Sequence, residues 1–361
     1  VNDGRTPILY IAPWVDLGGS DRGTIDWFKN IDRSRWAPSL ITTTPSPNRW
    51  LHHIEPYAEE IWNLPDLMPG AAFPEFILGF IESRAVRLVH IMNSRLGYDL
   101  LPDMTCLPEP PAIVVQLHAE EPNQSGYVRY VTRRYGNLID AFSVVSENLK
   151  QTLVNYEIPS SRIEVIYLGV DSQGEFDPDR VEPMELPGNG RRRILWPGRL
   201  VEQKDPLLTM EVLARARERG AEFMLDVVGD GHLKEPARVR AEELGISDAI
   251  SWHPPSQDMA RWYRSTDLLL MTSVYEGIPL VIYEALAMSV PVVAPALPGN
   301  AEFMDADSGV LVEPRDDVDR YAEAIVSLLE DEERRREMGR RSRERMVEEF
   351  SLAAMGRRHD A

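Results

Sequence analysis

Thirteen short apolar runs, rich in β-branched residues, alternate along the chain with stretches of helical periodicity. Strands spaced by helices belong to parallel sheets carrying helices on their faces. In the first half the runs are Pro7 to Ile11, Ser39 to Thr42, Glu60 to Leu64, Leu88 to Met92, Ala112 to Leu117, Ala141 to Val145 and Glu164 to Tyr167. In the second half they are Arg193 to Trp196, Met224 to Val228, Ile250 to Trp252, Leu268 to Met271, Pro291 to Ala294 and Val310 to Val312, with helical patterns at Pro206 to Arg219, Leu233 to Leu244 and Val318 to Leu329. A chain of 361 residues is too long for one ordinary core. Between Tyr167 and Leu195 crowd Ser172, Gly174, Pro178, Pro183, Pro187, Gly188 and Gly190, which is linker chemistry. The expectation is an α/β protein of two Rossmann-like, doubly wound domains facing across a cleft: residues 1–172, a linker at 173–190, residues 191–345, and a C-terminal helix at 346–361 that crosses back to the first domain.

Net charge of -19 repels polyanions, so nucleic acid is not an expected partner. An anionic ligand then needs a local basic pocket. The runs Arg334-Arg335-Arg336 and Arg340-Arg341-Ser342-Arg343 alternate with glutamate and read as a solvated, salt-bridged helix face. Arg129, Arg133 and Arg134, interleaved with Tyr127, Tyr130 and Tyr135, leave open an acceptor groove or a peripheral membrane contact. One cysteine, Cys106, fits a reducing compartment, and no early apolar run has the length of a signal peptide or span, so a cytoplasmic protein, peripheral at most to the inner membrane face, is expected.

Carboxylates and cations gather at the expected strand ends of the second half. Glu276 and Glu284 stand eight positions apart across a loop-to-helix junction in Tyr275-Glu276-Gly277-Ile278-Pro279-Leu280-Val281-Ile282-Tyr283-Glu284. Gly277 and Pro279 break regular structure after a strand, which leaves Glu276 at the strand's carboxyl end and Glu284 about two turns along the following helix. Such rim carboxylates can accept hydrogen bonds from sugar or ribose hydroxyls. Arg199 and Lys204 share the loop before Pro206, a residue suited to the first helical position, and could together hold a diphosphate. Gly229, in Val228-Gly229-Asp230-Gly231-His232, reads as a tight turn that lets a ligand approach the backbone; a dinucleotide fingerprint is excluded because Lys234 falls where its third glycine is needed.

In the first half, Gly18 and Gly19 follow the first strand and would present backbone N–H groups to an anion, before a helix capped by Ser20 or Asp21. His118 closes a strand and opens Ala119-Glu120-Glu121, where it reads as a polar contact to a transferred sugar or as a structural histidine. Trp14, Asn93, Ser94, Glu120 and Glu121 are the acceptor-side candidates. Asp305-Ala306-Asp307 lacks a third ligand nearby and reads as an exposed turn, so no metal site is expected.

These residues resemble the retaining glycosyltransferases of family four, the glycosyl transferases of group one, which have the GT-B fold. The resemblance is carried by the Glu276/Glu284 segment, Gly198-Arg199 with Lys204, Val228 to Gly231, Ile166-Tyr167-Leu168-Gly169-Val170-Asp171 and Gly309-Val310-Leu311-Val312-Glu313-Pro314. It implies a nucleotide-diphosphate sugar as donor, a hydroxyl acceptor (glycan, lipid-linked or small molecule), retention of configuration and no required cofactor or metal. It also implies that Arg199 and Lys204 neutralise the leaving diphosphate, Glu276 contacts the donor sugar, Glu284 holds the ribose, His118 lies near the anomeric carbon, and Gly18 and Gly19 lie beside the diphosphate. Gly277, Ile278, Pro279 and Leu280 would complete the donor loop. The chain departs from the family pattern at Ser289, where glycine is usual, at Leu168 in place of asparagine, and after Gly19, where Ala-Glu-Arg is usual; it also stops inside what would be the last helix, as an excerpt of a longer polypeptide would. Two other readings stand beside transfer: a nucleotide-sugar-binding module without turnover, and a nucleotide-sugar epimerase. An NAD-dependent dehydrogenase would need the missing fingerprint.

Overall fold

A computed structural model describes residues 4–16, 19–119, 127–187 and 190–360, with side chains given as far as residue 356. Gly18, Glu120 and Glu121, named above as candidates, lie outside the described residues. The chain forms two compact units, residues 1–169 with 355–361, and residues 170–354.

The first unit is built on a seven-stranded parallel sheet of order β3-β2-β1-β4-β5-β6-β7. Its strands are β1 (Thr6–Ala12), β2 (Trp36–Thr42), β3 (Ile61–Asn63), β4 (Leu88–Met92), β5 (Ala112–Leu117), β6 (Ala141–Val144) and β7 (Ile163–Val165). β1 pairs with β2 on one edge and β4 on the other, and from Ile8 to Ala12 it is almost entirely out of water. Tyr10 packs there against Trp27, Phe28 and His90. β2 begins at Trp36, earlier than the sequence suggests, because Pro38 costs nothing in this position: Leu40 N–H already bonds across to Glu60 O, and β3 supplies no partner before it. β3 ends before Leu64, where Pro65 opens a short helix, Leu64–Leu67.

The second unit repeats the plan with six parallel strands in the order β10-β9-β8-β11-β12-β13. They are β8 (Arg192–Pro197), β9 (Phe223–Val228), β10 (Ile250–His253), β11 (Leu268–Leu270), β12 (Val292–Pro295) and β13 (Gly309–Val312). Strand order reverses between β8 and β11, and in open sheets of this kind the crevice at the carboxyl ends beside that reversal is where ligands bind. Helices Pro206–Glu218 and Val318–Glu330 bury Leu208, Val212, Leu213, Tyr321, Ile325 and Leu328 in the core of this unit.

The helix Glu332–Glu349 carries the arginine runs, and only part of it is the solvated face expected from sequence. Arg340 and Arg341 pair with Glu337, and Arg336 with Glu332, on the surface. Arg335 is instead 5% exposed and donates to Leu328 O and Leu329 O, the otherwise unsatisfied carbonyls ending Val318–Glu330. Arg343 donates to Ser172 O, Phe176 O and Ala287 O and pairs with Asp177, tying the start of the unit to its end.

Candidate active site

β8 and β11 are adjacent, so the loops leaving their carboxyl ends meet. Lys204 Nζ lies 2.5 Å from Glu276 Oε1, and both side chains are largely removed from water, at 16% and 7% exposure. A lysine and a carboxylate brought together from positions 72 residues apart are each other's counter-ion. Arg199 stays exposed and donates to Gln203 Oε1 at 3.1 Å, while Gln203 Nε2 donates to Tyr275 O at 3.2 Å. Gln203 O also receives Val274 N–H at 2.7 Å, which seats the Glu276 loop on the Lys204 loop. Guanidinium, ammonium and the first glutamate therefore share one edge of the sheet.

Glu284 is held by a different partner. The helix that carries it starts at Leu280, so Glu284 sits one turn into it, not two as the sequence reading has it. Its carboxylate accepts a 2.8 Å hydrogen bond from the hydroxyl of Tyr263, a fully buried side chain of the helix Met259–Arg264. Burial first, then the neighbouring carboxylate, hold the Tyr263 phenol well above its usual range, so it remains a donor.

The glycines of the Val228–Gly231 turn serve the protein's own backbone. A Cβ on Gly229 would stand 1.9 Å from Gly198 O, and one on Gly231 would stand 2.3 Å from Leu200 O. This close approach lets Gly198 N–H bond Val228 O and Leu200 N–H bond Asp230 O, which fixes the start of the Lys204 loop. Gly299 likewise leaves room for Gly277 O, at 1.9 Å from a Cβ placed there. Pro279 is buried, with Gly277, Ile278 and Leu280 partly accessible.

On the first unit, His118 follows β5 directly, and its Nε2 is buried with no hydrogen-bond partner among the described residues. Burial pushes its pKa down to about 4, so it is a neutral imidazole at physiological pH. Gly23 of the helix Gly19–Asn30 packs against it, since a Cβ there would come 3.4 Å from the ring. That helix begins at Gly19, which places Ser20 and Asp21 inside its first turn and corrects the capping role expected for them. Asp21 is 3% exposed, and burial pushes its carboxyl up to about 7 although Asp16 N–H donates to it.

The acceptor-side candidates divide. Trp14 is exposed. Asn93 takes a left-handed conformation, φ 51°, and its N–H donates to the buried Tyr98 hydroxyl. Ser94 is fully buried; it caps the helix Arg95–Asp99 by accepting Gly97 N–H and contacts Thr43 Oγ1 at 2.9 Å, so its hydroxyl is occupied within the unit. In the tyrosine–arginine run Arg134 lies over Tyr130 and Tyr135, Arg95 stacks 3.7 Å from the Tyr130 ring centroid, and the Tyr130 and Tyr135 hydroxyls donate to Asp99, while Arg133 and Arg134 remain exposed. Asp305 and Asp307 form the expected turn, paired with Arg345 and Arg341. Among the described residues no group of three His, Cys, Asp or Glu could hold a metal, and no helix is long and apolar enough to cross a membrane.

Sequence reasoning missed Tyr263, Thr272 and Arg315. Thr272 Oγ1 meets Lys204 O and Asp205 O at 3.0 Å each, and Arg315 Nη1 meets Asp205 Oδ2 at 2.9 Å. None of the three belongs to a motif; each is recognisable only by what it touches.

Comparison with known proteins follows the same division of the chain. Residues 17–173 match the model of the Glycosyltransferase Family 4 domain, and residues 182–345 match that of Glycosyl transferases group 1. A D-inositol 3-phosphate glycosyltransferase of Frankia alni is 34% identical over 188 residues, 48% of this chain and 46% of that protein. A GDP-mannose-dependent alpha-(1-6)-phosphatidylinositol monomannoside mannosyltransferase of Mycolicibacterium smegmatis is 28% identical over 262 residues, 68% of each. The match covers only 24% of a Vi polysaccharide biosynthesis protein of Salmonella typhi and about half of the D-inositol 3-phosphate enzymes. Among solved structures, a glycosyltransferase from Rickettsia africae superposes with a TM-score of 0.82 at 21% identity, covering 98% of this chain and 97% of that one. Anabaena HepE in complex with UDP and glucose does so at 0.80 and 16% identity, covering 99% and 98%. With two parallel-sheet Rossmann-like units and family models matching each half, the chain belongs to the group 1, family 4 glycosyltransferases of GT-B fold.

Proposed function

We propose that this protein transfers a sugar from a nucleotide-diphosphate donor to a hydroxyl acceptor, with retention and without a metal ion. The observation that carries the reading is the Lys204–Glu276 contact, with Arg199 on the same loop as Lys204; Glu284, in its Tyr263 hydrogen bond, lies on the helix that follows the Glu276 loop. In the transfer the bond from the anomeric carbon to the diphosphate breaks while a bond to the acceptor oxygen forms on the same face, and the acceptor proton passes to the departing phosphate. The negative charge developing on that phosphate is what the protein must stabilise, a task for fixed cations in a partly dehydrated site. Lys204 exchanges Glu276 for the diphosphate and Arg199 closes over it. Glu276, released, accepts from sugar hydroxyls, while Glu284 accepts from the ribose. His118, neutral, can donate to or accept from the sugar without adding charge. Gly18 and Gly19 would offer backbone N–H groups to the diphosphate, and Gly277 to Leu280 would line the sugar.

The relatives suggest where to begin: HepE binds UDP and glucose, and the mycobacterial enzyme depends on GDP-mannose. The test is a panel of UDP- and GDP-sugars with EDTA present, following donor consumption and reading the anomeric configuration of any glycoside by NMR coupling constants. Retained configuration in a product that Lys204→Ala fails to make supports the proposal. An inverted product, a strict metal requirement, an epimerised donor formed without acceptor, or tight nucleotide binding with no turnover would each overturn it.

A further inference from the structure

Lys204 lies in an irregular loop at the end of a flexible side chain, yet stabilising a leaving phosphate needs its charge placed to within a fraction of an ångström. We infer that Arg315 is the positioning residue that sets this loop and so aims Lys204, an inference that rests on the donor reading above.

The conformation at stake belongs to Asp205, the residue after Lys204. Its backbone is left-handed, φ 48° and ψ 62°, an arrangement that costs a non-glycine residue about 1 kcal/mol and must be held by its surroundings. Each carboxylate oxygen has one task. Oδ1 accepts Leu208 N–H at 3.2 Å and caps the helix Pro206–Glu218. Oδ2 accepts Arg315 Nη1 at 2.9 Å, and the same nitrogen reaches Thr272 O at 3.3 Å. Thr272 in turn holds the carbonyls of Lys204 and Asp205 through its hydroxyl, which accepts from Trp196 Nε1 and contacts Thr209 Oγ1 at 2.8 Å. Asp205 is thus where the loop after β8, the end of β11 and the turn after β13 are joined, and Arg315 supplies the last of these connections. That turn is itself fixed, because Asp317 N–H bonds Pro314 O and the Asp317 side chain caps the next helix through Arg320 N–H.

The pair is not a major support of the fold. Arg315 and Asp205 keep 30% and 25% exposure, and such pairs contribute at most about 1 kcal/mol. Losing Arg315 frees Asp205 to relax toward a right-handed backbone, which swings the preceding residue, so the effect falls on Lys204. A diphosphate feels it; a nucleoside monophosphate, which lacks the phosphate that leaves, does not.

Calorimetry on the full chain tests this with UDP against UMP and GDP against GMP, using the pair that the wild type binds, alongside thermal unfolding. Arg315→Ala is expected to weaken diphosphate binding about tenfold, leave monophosphate binding within about threefold and shift the melting temperature little. Arg315→Lys restores most of the loss. Asp205→Asn, which keeps the cap and tolerates the left-handed backbone, lowers diphosphate affinity similarly, and Arg315→Ala then adds nothing to it. Lys204→Ala separates the two levels of the argument. Should it abolish the diphosphate preference while Arg315→Ala leaves it intact, the positioning role falls and the donor reading stands. If Lys204→Ala leaves the preference intact, or no diphosphate binds the wild type, the donor reading falls and this inference with it. Equal loss of both nucleotides in Arg315→Ala would also overturn the positioning role.

Discussion

Each unit begins with the same device, a central strand that leads through a loop into its first helix: β1 to Gly19–Asn30, and β8 to Pro206–Glu218. The loop after β8 ends in ionisable groups that are paired, Lys204 with Glu276 and Asp205 with Arg315. After β1, Asp21 is buried in the first helical turn facing a like charge on Asp16, and across the helix His118 is buried as a neutral ring. Pairing fixes positions. Burial without an opposite charge instead makes protonation the variable, so the second unit answers to charge removal and the first to pH.

The largest expected effect tests the paired side. Glu276→Gln keeps the shape and removes the charge; Lys204→Ala leaves Glu276 without its counter-ion at 7% exposure. Each should lower turnover of the donor by at least about tenfold, and by up to about a thousandfold where one fixed charge carries the leaving group. Lys204→Ala should also cost about 1–3 kcal/mol of stability, much of it recovered in the Lys204→Ala/Glu276→Ala double variant without recovery of turnover. Turnover near wild type in either single variant, measured as kcat/KM on a folded protein, would make the pair a structural tie.

Asp21→Asn probes the unpaired side. The Asp21 pKa is raised to about 7 in the folded chain, so at acid pH both states hold the proton and the residue has no effect. Between about pH 4 and 7 the unfolded state ionises first, and stability declines as pH rises, by at most about 4 kcal/mol. His118, lowered to about 4, has the opposite slope: the unfolded state takes up a proton first as pH falls below about 6.5, so stability is lost on acidification. The variant keeps the oxygen that accepts Asp16 N–H. It should therefore be more stable than the wild type above pH 7, converge with it near pH 4, and unmask the acid sensitivity due to His118. Urea unfolding at a series of pH values reads this directly, and a pH-independent difference between the two chains would refute it.

The same contrast explains what could be read from the residues alone. Each strand of both sheets was legible as a short apolar run, because strands covered on both faces must be nearly continuous in Val, Ile and Leu. Glu276, Lys204 and Arg199 were legible because charges beside strand ends, Gly and Pro are rare enough to stand out. Burial is a property of three dimensions, and nothing in Asp21 or Arg335 marks them as buried, so one was read as a cap and the other as solvated. Tyr263, Thr272 and Arg315 were hidden for a related reason: their roles depend on partners 21, 68 and 110 residues away along the chain.

Tyr263→Phe removes one of these hidden partners. Glu284 loses a donor from a dehydrated phenol, a bond to a charged group worth about 1.5–3 kcal/mol. If Glu284 holds the ribose, nucleotide affinity measured by calorimetry should fall about three- to tenfold while kcat changes less. An unchanged affinity would show that Tyr263 does not set the orientation of Glu284.

The smallest expected effect sharpens the comparison where it concerns backbone strain instead of charge. Ser289 is left-handed, φ 63°, directly after Met288 caps the helix Leu280–Ala287 that bears Glu284. Ser289 N–H bonds Leu286 O and Val290 N–H bonds Ala285 O, the pair of bonds that ends a helix through a left-handed residue, a position that favours glycine. The strain cannot be relieved by movement, because Gly339 packs so closely that a Cβ on it would stand 2.2 Å from Ser289 O. Ser289→Gly should then stabilise the chain by about 0.5–1 kcal/mol, raising the melting temperature by about 1–4 °C, with nucleotide affinity unchanged. A lower melting temperature would mean that the serine side chain contributes more than its backbone conformation costs, and that this departure from the family's glycine is an adaptation of the helix end that presents Glu284.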